Sequence, residues 1–352
     1  MKVSRIISTW PLAVLGLAPL SCNIKVTERC NLRCSMCGIW RRANRMNELS
    51  AADWRRIARI LARWRLGRAV ITGGEPFLRR DLEEIIRGFA RYGFSITLLT
   101  NGTVPDTARF SRVIAAGVHD VGISLDTLDP LLQARIAGRE GIHAAILASI
   151  ATALKVTPGL VQVMITVSEL NLSEIPSIVA AVHDMGAYAV VNPMNVALQD
   201  RQQTQLTKVH RTNPLAAIAP AEVDRIYDEL VRMKRQGIRL LNSNRFLEDS
   251  RLYLKGGGYG WRCHAGDSYF TIFSDGSVAG CSDLKSFRNL HRDSGILPNR
   301  RFRTIYHQQR SACPGCIYSC WREVSYLLRD PATMGERLSR ILRWLKERHP
   351  TA

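Results

Sequence analysis

Cys30, Cys34 and Cys37 stand in the stretch Thr27 to Trp40, directly after the apolar run Asn23 to Val26. Thiolates this close together are ligands for a soft metal or an iron–sulfur cluster, and a 4Fe–4S cluster ordinarily takes four of them. A C-x3-C-x2-C loop therefore leaves one iron with an open position, where a small chelating molecule can bind. A zinc knuckle or buried thiols are the alternative. Zinc needs a fourth Cys or His nearby, and the next twenty residues supply none.

Further candidate groups fall at the ends of apolar runs. Thr72-Gly73-Gly74-Glu75-Pro76 follows Ala69 to Ile71, Leu98-Leu99-Thr100-Asn101-Gly102 closes another run, and Val121-Gly122-Ile123-Ser124-Leu125-Asp126 a third. The glycines let backbone approach a ligand closely, and Glu75 supplies an acceptor for an ammonium group; on its own, Gly-Gly-Glu-Pro is equally a turn. A second cysteine set lies near the C-terminus. Cys263 is followed by Gly276 and Cys281, and after a gap come Cys313, Cys316 and Cys320. Cys22, outside both sets, reads as a buried strand thiol. His183, His210 and His264 read as ordinary surface or core histidines, with His264 singled out because it adjoins Cys263.

The cysteine loop together with the strand-end Gly-Gly-Glu-Pro resembles the signature of the radical S-adenosylmethionine (radical SAM) enzymes. The resemblance implies that S-adenosylmethionine chelates the open iron, that Gly73, Gly74, Glu75 and Pro76 form the segment holding its methionyl amino group, and that Thr100, Asn101 and Ser124 face the cofactor. Met36 stands where many members carry an aromatic residue, and Met can still pack on an adenine face. Arg135 is a candidate carboxylate partner, with a solvated helix-face arginine as the alternative. The C-terminal set resembles the family's SPASM/Twitch extension, C-x(9–15)-G-x4-C followed by C-x2-C. The full SPASM form has seven cysteines for two auxiliary clusters. The five here fit the shorter Twitch form, one auxiliary 4Fe–4S cluster with one thiol to spare, and Cys320 is taken as the spare. A zinc clip from the same cysteines is the alternative. The implied chemistry is reductive cleavage of S-adenosylmethionine to a 5′-deoxyadenosyl radical that abstracts hydrogen from a substrate. A fully ligated auxiliary cluster would take up the substrate's electron, favouring net oxidation by dehydrogenation or cross-linking.

The elements that must position these groups follow from periodicity. Apolar runs at 22–27, 68–72, 95–99, 119–124, 161–167 and 188–192 alternate with amphipathic segments, the βαβ pattern of a parallel sheet. Helices are expected at 54–65, 80–92, 106–116, 142–156, 174–186 and 221–236, the first opened by a capping box at Ser50 and Asp53. The fold class is α/β, a partial (βα)6 TIM-type barrel with a small C-terminal α+β Twitch/SPASM-like iron–sulfur domain. The expected divisions are an apolar helix over 1–20, the barrel over 21–195, a linker and helix over 196–258, the auxiliary cluster domain over 259–325 and a helix over 326–352. That last helix should turn Leu338, Ile341, Leu342 and Leu345 inward. In parallel barrels the reactive groups sit at the C-terminal strand ends, where the cysteine loop, Glu75, Asn101 and Ser124 all fall.

Composition narrows the rest. The 352 residues carry a formal charge of +19, mostly from Arg. The charge is either a diffusely basic surface or a field for an anionic partner, and no lysine block or Arg-Gly-Gly repeat singles out nucleic acid. Thiols spaced as cluster ligands persist in a reducing cytosol, so a cytoplasmic location is expected. Pro11 and Pro19 interrupt the N-terminal apolar run, which is read as closing the barrel's bottom or touching a membrane surface rather than as a signal peptide. The expected substrate is a small anionic metabolite; a ribosomal peptide is the alternative, and a flavodoxin or ferredoxin is the expected reductant. About twenty residues before the barrel are too few for a winged-helix leader-binding domain. The molybdopterin-precursor enzyme is a rival, set apart by its Gly-Gly tail and auxiliary cysteine pattern. An iron–sulfur electron-transfer protein without catalysis would leave Glu75 and Ser124 without a purpose.

Overall fold

The computed structural model describes residues 3–16, 18–42, 47–103, 106–197, 208–210, 217–256, 263–286, 288–292, 300–311, 313 and 315–348. Its strands are β1 (Ser21–Thr27), β2 (Arg68–Gly73), β3 (Ser95–Thr100), β4 (Asp120–Ser124), β5 (Val161–Val167), β6 (Tyr188–Pro193), β7 (Asn195–Ala197), β8 (Lys208–His210), β9 (Tyr269–Ile272), β10 (Ser277–Ala279) and β11 (Arg288–Asn289). The helices are α1 (Val3–Val14), α2 (Ala51–Arg63), α3 (Leu82–Ala90), α4 (Thr107–Ala115), α5 (Pro130–Ala137), α6 (His143–Val156), α7 (Ile175–Asp184), α8 (Pro220–Arg235), α9 (Asn244–Leu254), α10 (Arg300–Ser311), α11 (Ser319–Arg329) and α12 (Pro331–Arg348).

Strands β1 to β6 pair in parallel in chain order, and the alternation of their side chains separates two environments. Ile24, Ile71, Leu98, Ile123, Ile165 and Val191 face the helices and are fully buried in one core with Trp54, Ile57, Ile85, Phe89, Ile146 and Ile178. Burying each such side chain contributes about 1.5–3 kcal/mol relative to exposure, so this layer fixes the register. The opposite face is polar: Asn23, Lys25, Thr72, Thr97, Ser124, Gln162, Thr166 and Asn192 line the barrel lumen. Near the C-terminal strand ends Thr72, Leu99, Ser124, Met164, Thr166 and Asn192 are only half-buried, so the lumen opens there.

The Ser50–Asp53 capping box opens α2 as expected, with Asp53 N donating to Ser50 Oγ and Ser50 N to the Asp53 carboxylate. The structure departs from the sequence reading in several places. Helix α5 was not anticipated, nor was α9 within the presumed linker, where β7 and β8 also form a parallel pair. The C-terminal cysteine region is continuous with the barrel: β9 pairs in parallel with β1, extending the sheet to nine strands in the order β11-β10-β9-β1-β2-β3-β4-β5-β6. In α12, Leu338 is 56% exposed rather than inward; the side chains of Ile341, Leu342 and Leu345 lie outside the described residues. Helix α1 packs Ala13 beside Leu20, Trp321 and Leu328, and Thr9 Oγ1 donates to Arg65 O at 2.7 Å, so this segment docks on the body of the fold. Among the described residues no helix is long and apolar enough to cross a membrane.

Candidate active site

The loop from Cys30 to Cys37 is fastened at three places. At its start, Gly74 N donates to Thr27 O and Glu75 N to Arg29 O, both at 2.8 Å. A Cβ on Gly73 would lie 2.2 Å from Thr27 O, and one on Gly74 2.1 Å from Arg29 O. The two glycines therefore serve a chain-on-chain approach that presses the end of β2 against the entry to the loop. On one flank Asn101 Nδ2 donates to Asn31 Oδ1 at 2.9 Å and lies 3.9 Å from Cys30 Sγ. At the far end Arg33 N and Ser35 N donate to Ala137 O and Ile136 O, each at 3.0 Å, so the unforeseen helix α5 is the loop's second wall.

Burial, above all, raises the pKa of all three thiols; charge on Cys37 adds to it for Cys30 and Cys34, and Asp126 adds to it for Cys34. A thiolate here needs a cationic partner, and a metal centre supplies one by deprotonating its ligands outright. Leu32 N points at Cys30 Sγ at 3.5 Å, the kind of contact that tunes a cluster sulfur. Three soft donors on one fastened loop fit a 4Fe–4S cluster with one iron open.

Glu75 is 2% exposed and accepts from Phe77 N at 3.0 Å, Thr100 Oγ1 at 2.8 Å and Asn101 N at 2.7 Å. Burial pushes its pKa up, against those three donors. Its first task is thus to lock the ends of β2 and β3 together, and the Thr100 hydroxyl is turned to Glu75 rather than to the lumen. Pro76 opens a short turn for which Glu75 is the cap. Ser124 is half-buried on the lumen face and Met36 half-buried in the loop. Arg135 lies exposed on α5, the solvated arginine of the alternative reading. His183 is structural, its Nδ1 accepting from Arg239 N at 3.3 Å. The side chain of His210 lies outside the described residues. Cys22 is fully buried.

The C-terminal cysteines divide. Cys263 stands close enough to Cys313, and Cys281 to Cys316 and Cys263, for each charge to raise its neighbour's pKa on top of the larger effect of burial. Ala265 N and Asp283 N point at Cys263 Sγ and Cys281 Sγ, both at 3.4 Å, and Tyr269 OH lies 3.3 Å from Cys263 Sγ. This four-thiol set with amide donors on its sulfurs fits a fully ligated cluster. Cys320 is exposed and has Asn23 and Asp283, not the other cysteines, as the neighbours that bear on its thiol. Among the described residues neither set is drawn in to the spacing of a single metal ion. Leu284 is common to the two neighbourhoods: with Cys37 it packs on the cluster of Phe273, Ala279 and Ile39, and it also packs on the core containing Cys281 and Cys316.

Sequence reasoning missed Lys25, which is 4% exposed on the lumen face with Nζ 5.1 Å from the Phe273 ring centre and is close enough to Cys37 to lower its pKa. A cation two residues from Asn23, on the face of β1 opposite Ile24 and Val26, was the available signal. Two substitutions separate brace from binding group. Ser124→Ala is expected to weaken S-adenosylmethionine binding by about 0.5–1.5 kcal/mol with unchanged melting temperature. Glu75→Ala leaves three buried donors unpaired, at about 1–3 kcal/mol each, and should lower the melting temperature as well. Titration calorimetry with thermal melts decides, and wild-type affinity in the Ser124 variant removes that residue from the site.

Residues 24–182 match the Radical SAM superfamily. A probable GTP 3′,8-cyclase of Methanopyrus kandleri is 36% identical over 175 residues, 49% of this chain and 55% of that protein. The PqqA peptide cyclase of Rhodopseudomonas palustris is 32% identical over 127 residues, 36% of this chain and 34% of that protein. The chain thus spans about half the length, or less, of these relatives. In fold it is similar to Streptococcus suis SuiB bound to the precursor peptide SuiA, with a TM-score of 0.65 at 16% identity over 88% of this chain and 70% of that one. It is likewise similar to anSMEcpe with bound AdoMet, with a TM-score of 0.60 at 15% identity over 83% and 82% of the two chains. Its cysteine loop, its strand-end Gly-Gly-Glu-Pro and strands β2 through β5 of its parallel barrel sheet fall within the matched stretch, and the chain carries a radical SAM domain over residues 24–182.

Proposed function

We propose that the chain is a radical SAM oxidoreductase whose substrate lies in the polar lumen below the Cys30–Cys37 loop, and that a second cluster on Cys263, Cys281, Cys313 and Cys316 takes up the electron released by the substrate. The observation that carries this reading is Leu284, which packs against both cysteine neighbourhoods and so links them through one side chain. The clusters supply the electron that opens the sulfonium of S-adenosylmethionine and the sink for the electron returned. The chain's own groups orient the reactants: Asn101 and α5 hold the loop, Ser124 faces the lumen, and Lys25 offers a buried cation beneath Cys37.

A buried cation in the lumen favours a small anionic substrate, and the sequence likeness to GTP 3′,8-cyclases supports a nucleotide-like one. A peptide is the second reading, favoured by the likeness to the PqqA peptide cyclase and by the fold shared with SuiB. The protein would work in the reducing cytoplasm with flavodoxin or ferredoxin as electron donor. Anaerobically reconstituted protein with S-adenosylmethionine and dithionite should form 5′-deoxyadenosine. Stimulation by GTP or another nucleotide, lost in Lys25→Met, supports the first substrate class; stimulation by a precursor peptide alone supports the second. No 5′-deoxyadenosine under any condition overturns the enzymatic reading.

A further inference from the structure

Behind the auxiliary cysteine set lies a fully buried guanidinium. Arg322, on α11, is 0% exposed, and its Nε and Nη2 both donate to the carbonyl of Cys316, at 3.0 and 2.8 Å. Its Nη1 donates to Asp249 Oδ2 on α9 at 2.8 Å and lies 3.0 Å from Tyr326 OH. Tyr326 in turn donates to the same Asp249 oxygen. The neighbouring amide, Ile317 N, donates to Asn195 Oδ1 at 2.8 Å. The backbone at Cys316 is thus clamped from two sides, and the clamp carries a full positive charge and a full negative one inside the protein. A buried ion pair is weak evidence of stabilisation, because desolvation offsets the attraction; an apolar pair would pack α9 on α11 equally well. What an apolar pair would not do is place charge beside a redox centre.

We propose that Arg322 is a positioning residue of the auxiliary cluster, fixing the Cys316 carbonyl and, balanced by Asp249, setting the cluster's reduction potential. This rests on the reading of Cys263, Cys281, Cys313 and Cys316 as ligands of a cluster. Cluster potentials respond to net charge, to hydrogen bonding and to solvent exposure, and the low dielectric of a buried site enlarges the effect of a fixed charge. The reduced cluster carries one more negative charge than the oxidised one. A cation held against a ligand's backbone therefore favours reduction, and a nearby anion opposes it. The two halves of the clamp must push the potential in opposite directions.

The test is an EPR-monitored redox titration of full-length chain carrying Cys30→Ala, Cys34→Ala and Cys37→Ala, so that only the auxiliary cluster reports. Arg322→Gln should shift the reduction equilibrium toward the oxidised form by about tenfold, which is about 59 mV for a one-electron couple. Asp249→Asn should shift it toward the reduced form by a similar factor, and Arg322→Lys, which keeps the charge, should restore most of the wild-type value. If Arg322→Gln does not fold, the rise in Asp249→Asn carries the test. Potentials unmoved in folded variants that retain about four irons, or moved in the same direction by Arg322→Gln and Asp249→Asn, overturn the proposal. A parent protein with no cluster signal at all overturns the ligand reading beneath it, and with it this one.

Discussion

Replacing Cys30, Cys34 and Cys37 together by Ala should lower the iron content of anaerobically reconstituted protein from about eight to about four per chain, since two cubanes need two sets of thiolates. Cleavage of S-adenosylmethionine should vanish with it. The loop is fastened by backbone contacts to Gly74, Glu75, Ile136 and Ala137, none of which uses a cysteine side chain, so the variant should keep its melting temperature within a few degrees of the wild-type apoprotein. Iron and acid-labile sulfide analysis measures the first effect and 5′-deoxyadenosine formation the second. A triple variant that retains all its iron would show that the loop is not a cluster site, whatever its resemblance. A variant that loses all its iron would mean that the C-terminal set cannot hold a cluster alone.

The barrel was legible because parallel strands buried beneath helices alternate strongly. Ile24, Ile71 and Leu98 face the helices while Lys25, Thr72 and Leu99 face the lumen. Helix α5 escaped because it spans eight residues with too little apolar periodicity to announce itself. Its boundary signals were nevertheless present: Asp129 Oδ1 caps Leu131 N at 2.8 Å, Pro130 occupies the first turn, and Gly138 closes the helix in the left-handed region at φ 64°. The pairing of β9 with β1 had no local signal at all. A strand that joins a sheet across some 240 residues of chain is chosen by the free edge of β1, and no pattern within 269–272 names that partner.

Within the site, residue types were read more securely than residue tasks. Gly73, Gly74 and Glu75 are expected to approach a ligand; the structure adds that the protein atoms nearest both glycines belong to Thr27 and Arg29, and that the Glu75 carboxylate is shared among Phe77, Thr100 and Asn101. A strand-end motif records that a tight approach is required without saying what is approached. Arg322 was invisible for a different reason. Its meaning depends on Asp249, 73 residues away, and a lone Arg six residues after Cys316 in a chain this rich in Arg carries no information.

Single substitutions in the C-terminal set should separate radical formation from product formation. Cys263→Ala and Cys281→Ala are expected to leave the first loop intact, so 5′-deoxyadenosine should still appear while product does not, and iron should fall to about four per chain. The geometry supports this independence: Cys263 is held through Ala265 and Tyr269 and Cys281 through Asp283, whereas Cys37 of the first loop packs on the apolar cluster of Ile39, Phe273 and Ala279. Cys320→Ser should behave oppositely and keep about eight irons. Cys320 is exposed, and the side chains that bear on its thiol are those of Asn23 and Asp283. None of the other C-terminal thiols is among these neighbours, so Cys320 stands outside the four-thiol set. If Cys320→Ser loses iron as Cys263→Ala does, the spare thiol has been misassigned. If Cys263→Ala turns substrate over at the wild-type rate, or if the set binds zinc, the auxiliary cluster has no part in the reaction.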